Sequence, residues 1–167
     1  TASLAYGNAT KIAIIQGDKV DPKTKSGAGG IGEHILKRAV SLAKSASTGD
    51  KVETLRQLSM FAHTYALAAY VNFEIGLEIV KQGIEEVDNK NDAMKAFSIA
   101  NELIVLRNDA EMPFHIRSIV ELGKIALDHD NDATKAIDRF NDIKDLHMED
   151  DVHVELLVLV GRAHLVS

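Results

Sequence analysis

The amino-acid sequence predicts an all-α fold of stacked antiparallel helical hairpins, a helical bundle built from repeats. Ten of twenty-three positions between Ile79 and Asn101 recur unchanged forty residues later, between Ile119 and Asn141. The two copies read I-V-K-Q-G-I-E-E-V-D-N-K-N-D-A-M-K-A-F-S-I-A-N and I-V-E-L-G-K-I-A-L-D-H-D-N-D-A-T-K-A-I-D-R-F-N. A period of this length marks a helical hairpin, whose neighbouring units bury apolar faces that none could bury alone. Aromatic content of only 5% with no Trp, beside abundant Ala and Leu, favours close-packed helices over sheets. Apolar residues also recur at helical spacing along most of the chain.

Taken in order, residues 11–16 hold a short apolar run that is helix or strand, since periodicity does not separate the two. Residues 21–32, D-P-K-T-K-S-G-A-G-G-I-G, read as a flexible loop. The chain therefore divides into an N-terminal segment with its Gly-rich loop over 1–32 and a single all-α helical-hairpin domain over 33–167. Ile35, Leu36, Ala39, Val40, Leu42 and Ala43 share one face of a helix over 33–45, and Ser47-Thr48-Gly49-Asp50 breaks it and offers a cap to the next. From Lys51 to Val87 nothing interrupts the pattern, which predicts one helix of roughly 55 Å, bent near Asn72 and Gly76. Four further helices are expected over 91–107, 111–128, 132–146 and 151–166.

Within the duplication, Val80, Gly83 and Val87 are expected to share a face as Val120, Gly123 and Leu127 do, with each glycine admitting a partner helix. Asn91-Asp92 and Asn131-Asp132 are expected to cap the following helices. The inner faces of those helices would be Ala93, Ala96, Phe97, Ala100 and Leu103, and Ala133, Ala136, Ile137, Phe140 and Ile143. The segment Leu156–Leu165 reads as the first helix of a third copy lacking its second half, as a terminal capping helix would.

At 167 residues the chain suits one domain with a substantial core. Residues 1–51 carry eight Lys/Arg against four Asp/Glu, or +4, and residues 52–167 carry eleven against twenty-one, or −10. An acidic body argues against nucleic acid as a partner, and it allows the basic N-terminal segment to dock on it. The absence of Cys excludes disulfides, thiolate metal sites and Cys nucleophiles. The longest apolar runs, 60–71 and 152–166, are too short for a membrane span, so no membrane insertion is expected. The chain opens at Thr1 rather than Met, and the expectation is a cleaved signal peptide.

Several signals imitate chemistry. Gly27, Gly29 and Gly32 satisfy G-x-G-x-x-G, but polar D-P-K-T-K-S precedes them where a dinucleotide fold needs a strand. Asp128, Asp130 and Asp132 begin like a calcium loop, yet its sixth position is Ala133 rather than Gly and its twelfth is Arg139 rather than Glu, so capping explains them better. His147 and His153, amid Glu149, Asp150 and Asp151, are six residues apart and do not share a helical face. No cofactor, metal or catalytic residue is assigned. The candidate ligand contacts are His63, Tyr65, Tyr70 and Phe73, on a stretch with the small residues Ala62, Ala66 and Ala69. Asn101 and Asn141 join them, because Asn is a poor mid-helix residue and both copies place it at the same point.

The pattern A-x-x-x-x-x-x-x-N after a capped N-D turn resembles tetratricopeptide-type repeats. Over residues 93–166, the order Met112-Pro113-Phe114, then I-V-E-L-G-K-I-A-L-D, D-A-T-K-A-I-D-R-F and Met148-Glu149-Asp150-Asp151-Val152, is similar to the YfdX family of exported bacterial helical proteins. That resemblance implies a periplasmic, oligomeric, multi-helix protein linked to stress responses. The resulting expectation is a non-catalytic binding or assembly module acting through a protein partner or a second copy of itself, a homo-oligomer. The alternative is a sensor or carrier with a small molecule held between helices.

Overall fold

The structure, a computed structural model, describes residues 25–46, 50–62, 65–105 and 113–167. These residues form seven helices and no strand: α1 (Lys25–Ser45), α2 (Lys51–Ser59), α3 (Tyr65–Gln82), α4 (Val87–Val105), α5 (Pro113–Asp128), α6 (Ala133–Asn141) and α7 (Asp150–Val166). Each helix packs on the next, and α1 meets α3, α3 meets α5, and α5 meets α7, whereas α2, α4 and α6 make no helix contact with one another. Odd-numbered helices thus form one layer and even-numbered helices the other. This is the contact order of stacked hairpins.

The local reasons are plain in each element. In α1, Leu36, Ala39, Val40 and Ala43 are buried at helical spacing. Asp50 caps α2 by accepting a hydrogen bond from the Glu53 backbone N–H at 3.0 Å, and Val52, Leu55 and Leu58 form its inner face. Pro113 opens α5, where a missing N–H costs nothing. Asn131 turns the chain with φ 53°, and Asp132 caps α6 through the Lys135 N–H at 2.9 Å. Asp150 and Asp151 lie in the first turn of α7, where the helix dipole favours negative charge.

Two cores result. Helices α1 to α4 supply most of the first, which Leu122 and Ile125 of α5 complete. The opposite side of α5, with Ile116, Ile119, Val120 and Leu127, joins α6 and α7 in the second. Helix α5 is therefore the shared wall between them. The largest wholly buried side chains, Phe97 and Phe140, sit one in each core, and each lies against a glycine. A Cβ on Gly76 would fall 2.6 Å from Phe97 Cε1, and one on Gly123 would fall 2.2 Å from Phe140 Cε1. Glycine admits the ring at both places.

These two sockets correct the register read from the sequence. Gly76 and Gly123 are 47 residues apart and Phe97 and Phe140 are 43 apart, so the structural correspondence is not the forty-residue one. It relates F-E-I-G (73–76) to V-E-L-G (120–123), and A-x-x-x-F from Ala93 to A-x-x-x-F from Ala136. Gly123 packs as expected, but Gly83 lies beyond the end of α3 with φ +108°. It ends the helix in the left-handed conformation that glycine alone adopts without strain. Val87 correspondingly starts α4 instead of ending the helix before it. Asn91 and Asp92 fall inside α4, where Asp92 pairs with Arg56 at 2.6 Å, so they do not cap it.

Three other expectations are revised. Helix α1 begins at Lys25, so Gly27, Gly29 and Gly32 lie in a helix that runs across the expected boundary at 32–33. Each glycine costs about 1 kcal/mol, and the buried turns from Leu36 onward offset that cost. The long helix over 51–87 is two helices. Its break follows Ser59, where Phe61 and Ala62 donate to the carbonyls of Leu58 and Ser59 at 3.0 and 3.1 Å. No Gly or Pro marks this turn, because the need to fold α2 back on α3 decides it. Helix α6 closes at Asn141, and residues 142–146 continue as turns. Residues 1–24, including the apolar run and three of the eight Lys/Arg of the basic segment over 1–51, lie outside the described residues.

Candidate functional site

Helix α3 carries the aromatic candidates. Tyr70 and Phe73 are three residues apart and therefore neighbours on the helix surface. Tyr70 meets Phe114 of α5 with ring centroids 5.2 Å apart. Phe73 meets both Phe114, at 5.9 Å, and Phe97 of α4, at 5.8 Å. The tilted geometry is the one ring quadrupoles favour. The Lys37 ammonium stands 6.0 Å from the centroid of Tyr70, at the outer limit of a cation–π contact. Burial pushes the Tyr70 hydroxyl up to about 12, with the Glu74 carboxylate adding to the effect. The phenol is therefore held neutral.

One turn on, Glu74 is buried and paired with Lys44 of α1, and Glu78 is buried between Lys51 of α2 at 3.8 Å and Lys81 at 3.6 Å. Buried carboxylates are tolerated when cations compensate them. These pairs tie α1 and α2 to α3. On α5, burial disfavours the charge on Lys124, but the hydrogen bonds that its ammonium donates to Glu121 and Glu155 more than offset that and raise its pKa. The pair with Glu155 at 2.5 Å fastens α7 to α5.

The other sequence-derived candidates are not gathered with the rings. Tyr65 stands at the start of α3 and is 53% exposed. His63 lies outside the described residues. Asn101 is half-buried in α4, and its side-chain carbonyl oxygen is buried without a hydrogen-bond partner. Asn141 is the exposed last residue of α6. The changed register explains the difference: Asn101 and Asn141 are forty residues apart, whereas the second helices correspond at 43. The calcium-like aspartates are engaged by the protein itself, Asp128 by Arg162 at 2.6 Å and Asp130 by Lys90 at 2.7 Å. Glu149 and Asp151 likewise meet Arg117 at 2.6 and 3.6 Å. Among the described residues no cluster of three or more His, Cys, Asp or Glu could hold a metal. No described helix is long and apolar enough to cross a membrane.

Two features escaped the sequence reading. His115 is buried on α5 with Nδ1 unpartnered, close to Asp142, and Ser118 one turn later is wholly buried with its hydroxyl unpartnered. Burial lowers the His115 pKa and Asp142 opposes it. The second feature is α7. Val152, Leu156, Leu159 and Ala163 face the core, while Val154, Leu157, Val158 and Leu165 on the opposite side are 60%, 59%, 59% and 87% exposed. A terminal capping helix turns a polar face outward; this one turns an apolar face outward. The signal was present in the run V-E-L-L-V-L-V-G (154–161), which is more apolar than one buried stripe needs.

Two open cavities lie apart from the aromatic cluster. One, of about 290 Å³, is lined by Arg56, Asn72, Ile75, Asp92 and Lys95 among others, and another, of about 330 Å³, by Leu127, Asp128, Asn131, Arg162 and Val166. Compared with known proteins, the chain matches no family model, no curated protein and no solved structure.

Proposed function

We propose that this protein is a non-catalytic helical interaction module that associates with another protein helix, or with itself, through the outward face of α7. The observation that carries the reading is the row Val154, Leu157, Val158 and Leu165, each more than half exposed on one side of one helix. Scattered exposed apolar residues need no explanation, but a contiguous row does. In the setting that the YfdX resemblance implies, the module would work outside the cytoplasm. A small molecule held near Tyr65, Tyr70, Phe73 and His63 has less support, because Tyr70 and Phe73 spend their ring contacts on Phe114 and Phe97 and the two cavities have other linings.

The test is sedimentation velocity across a concentration series, alone and with labelled amphipathic helical peptides. Wild-type protein should gain mass with concentration or bind such a helix, and Leu157→Glu with Val158→Glu should abolish this while leaving the circular dichroism spectrum unchanged. A wild type that stays monomeric and binds no helix, like the variant, would overturn the proposal.

A further inference from the structure

Gly161 sits inside α7 with no heavy atom of the described residues, its own helical turn and chain neighbours aside, within 4 Å of where its Cβ would be. A glycine in a helix interior costs about 1 kcal/mol relative to alanine, and the buried glycines of α3 and α5 each have a reason for it. Gly76 and Gly123 receive Phe97 and Phe140 from the following helix. The residues around the glycines correspond as well. On α5 the stripe that receives α6 is Ile116, Ile119, Val120, Gly123 and Leu127. On α7 the outward stripe is Val154, Leu157, Val158, Gly161 and Leu165, with the same spacing and the same apolar character. The first stripe is buried under Ala136, Phe140 and Ile143; the second is open. It also continues the odd-helix layer, since α7 packs on α5 as α5 packs on α3.

From this we infer that Gly161 is a vacant socket for a helix of a partner protein that carries Ala-x-x-x-Phe or an equivalent small-x-x-x-aromatic pair. The aromatic ring lies on Gly161, and the small residue lets the helix approach Val154 and Val158. Within this chain the three described helices of that pattern are already used, Ala69 with Phe73, Ala93 with Phe97 and Ala136 with Phe140, all buried. None of these described helices is free to be the occupant, which a partner protein supplies. This inference rests on the proposed role of the α7 face and adds the chemistry of what binds there.

The probe is a labelled peptide of the chain's own residues 132–146, which contains the Ala136/Phe140 pair, titrated into the full chain and followed by fluorescence anisotropy. Binding should be saturable. It should weaken about tenfold or more when the peptide carries Phe140→Ala and when the protein carries Gly161→Leu, as loss of an aromatic anchor does. Gly161→Leu fills open space, so the variant should fold normally, and an unchanged spectrum with a melting temperature no lower than wild type confirms that the loss is local. Equal binding by either altered partner would overturn the socket while leaving α7 as a docking face. Self-association through α7 that the peptide does not compete with would also overturn it, in favour of a second copy as occupant. If no amphipathic helix binds and the protein remains monomeric, the underlying reading of α7 fails along with the socket.

Discussion

Adding one methyl group to Gly123 and to Gly161 should change stability in opposite directions. Both are glycines in helix interiors, where replacement by alanine gains up to about 1 kcal/mol when nothing else intervenes. At Gly161 nothing among the described residues beyond its own helical turn lies within 4 Å of the new Cβ, so Gly161→Ala should realise that gain and raise Tm by about 2–4 °C in a domain of this size. At Gly123 the new Cβ would stand 2.2 Å from Phe140 Cε1, 2.6 Å from Cζ and 3.0 Å from Cδ1. Carbon contacts are comfortable at about 3.5–4.0 Å, so the ring must retreat by more than about 1 Å. Phe140 is 0% exposed, and its neighbours are packed, so it cannot swing into solvent. Overpacking of this kind costs about 1–3 kcal/mol, which outweighs the helical gain and leaves Gly123→Ala destabilised by up to about 2 kcal/mol. Urea unfolding followed by circular dichroism measures both variants. Repeating Gly123→Ala on a Phe140→Leu background isolates the contact, because a smaller side chain should remove most of the penalty and expose a coupling of about 1–2 kcal/mol. A Gly123→Ala variant more stable than wild type, or a penalty unchanged without the ring, would refute the Gly–Phe socket and the correspondence built on it.

Two further predictions concern charge. Asp132→Ala removes the cap of α6 and should cost about 0.5–2 kcal/mol, whereas Asp92→Ala, forty residues earlier, loses only an exposed ion pair worth about 0–1 kcal/mol; equal losses in urea unfolding would contradict the shifted register. His115 has a folded pKa below its ordinary value of 6.5. Its neutral form therefore suits the fold, so its contribution is complete above pH 6.5 and declines as pH falls toward the folded pKa, because the unfolded chain takes up the proton first. Unfolding free energies compared across that range should decline less in His115→Gln than in wild type, and an unchanged slope would remove His115 as the cause.

The sequence by itself determined the all-α class, because apolar spacing of 3.6 residues and the scarcity of aromatic residues are local properties. It also determined the caps at Asp50 and Asp132, since a capping side chain acts on backbone N–H groups two or three residues away. What it could not decide was register. The match between Ile79–Asn101 and Ile119–Asn141 was real as letters, but Gly83 ends a helix and Gly123 lies within one. Only tertiary packing distinguishes a glycine needed for its positive φ from a glycine needed to admit a ring, and that packing moved the correspondence to Gly76 with Phe97 and Gly123 with Phe140. The break after Ser59 was silent for the same reason, since no residue there forbids a helix and only the burial gained by folding α2 onto α3 favours the turn. The fate of α7 was decided by tertiary structure too. Its composition announced two apolar faces, but which one is covered depends on where α5 and α6 stand. Because no described helix follows on its far side, the stripe around Gly161 is left open.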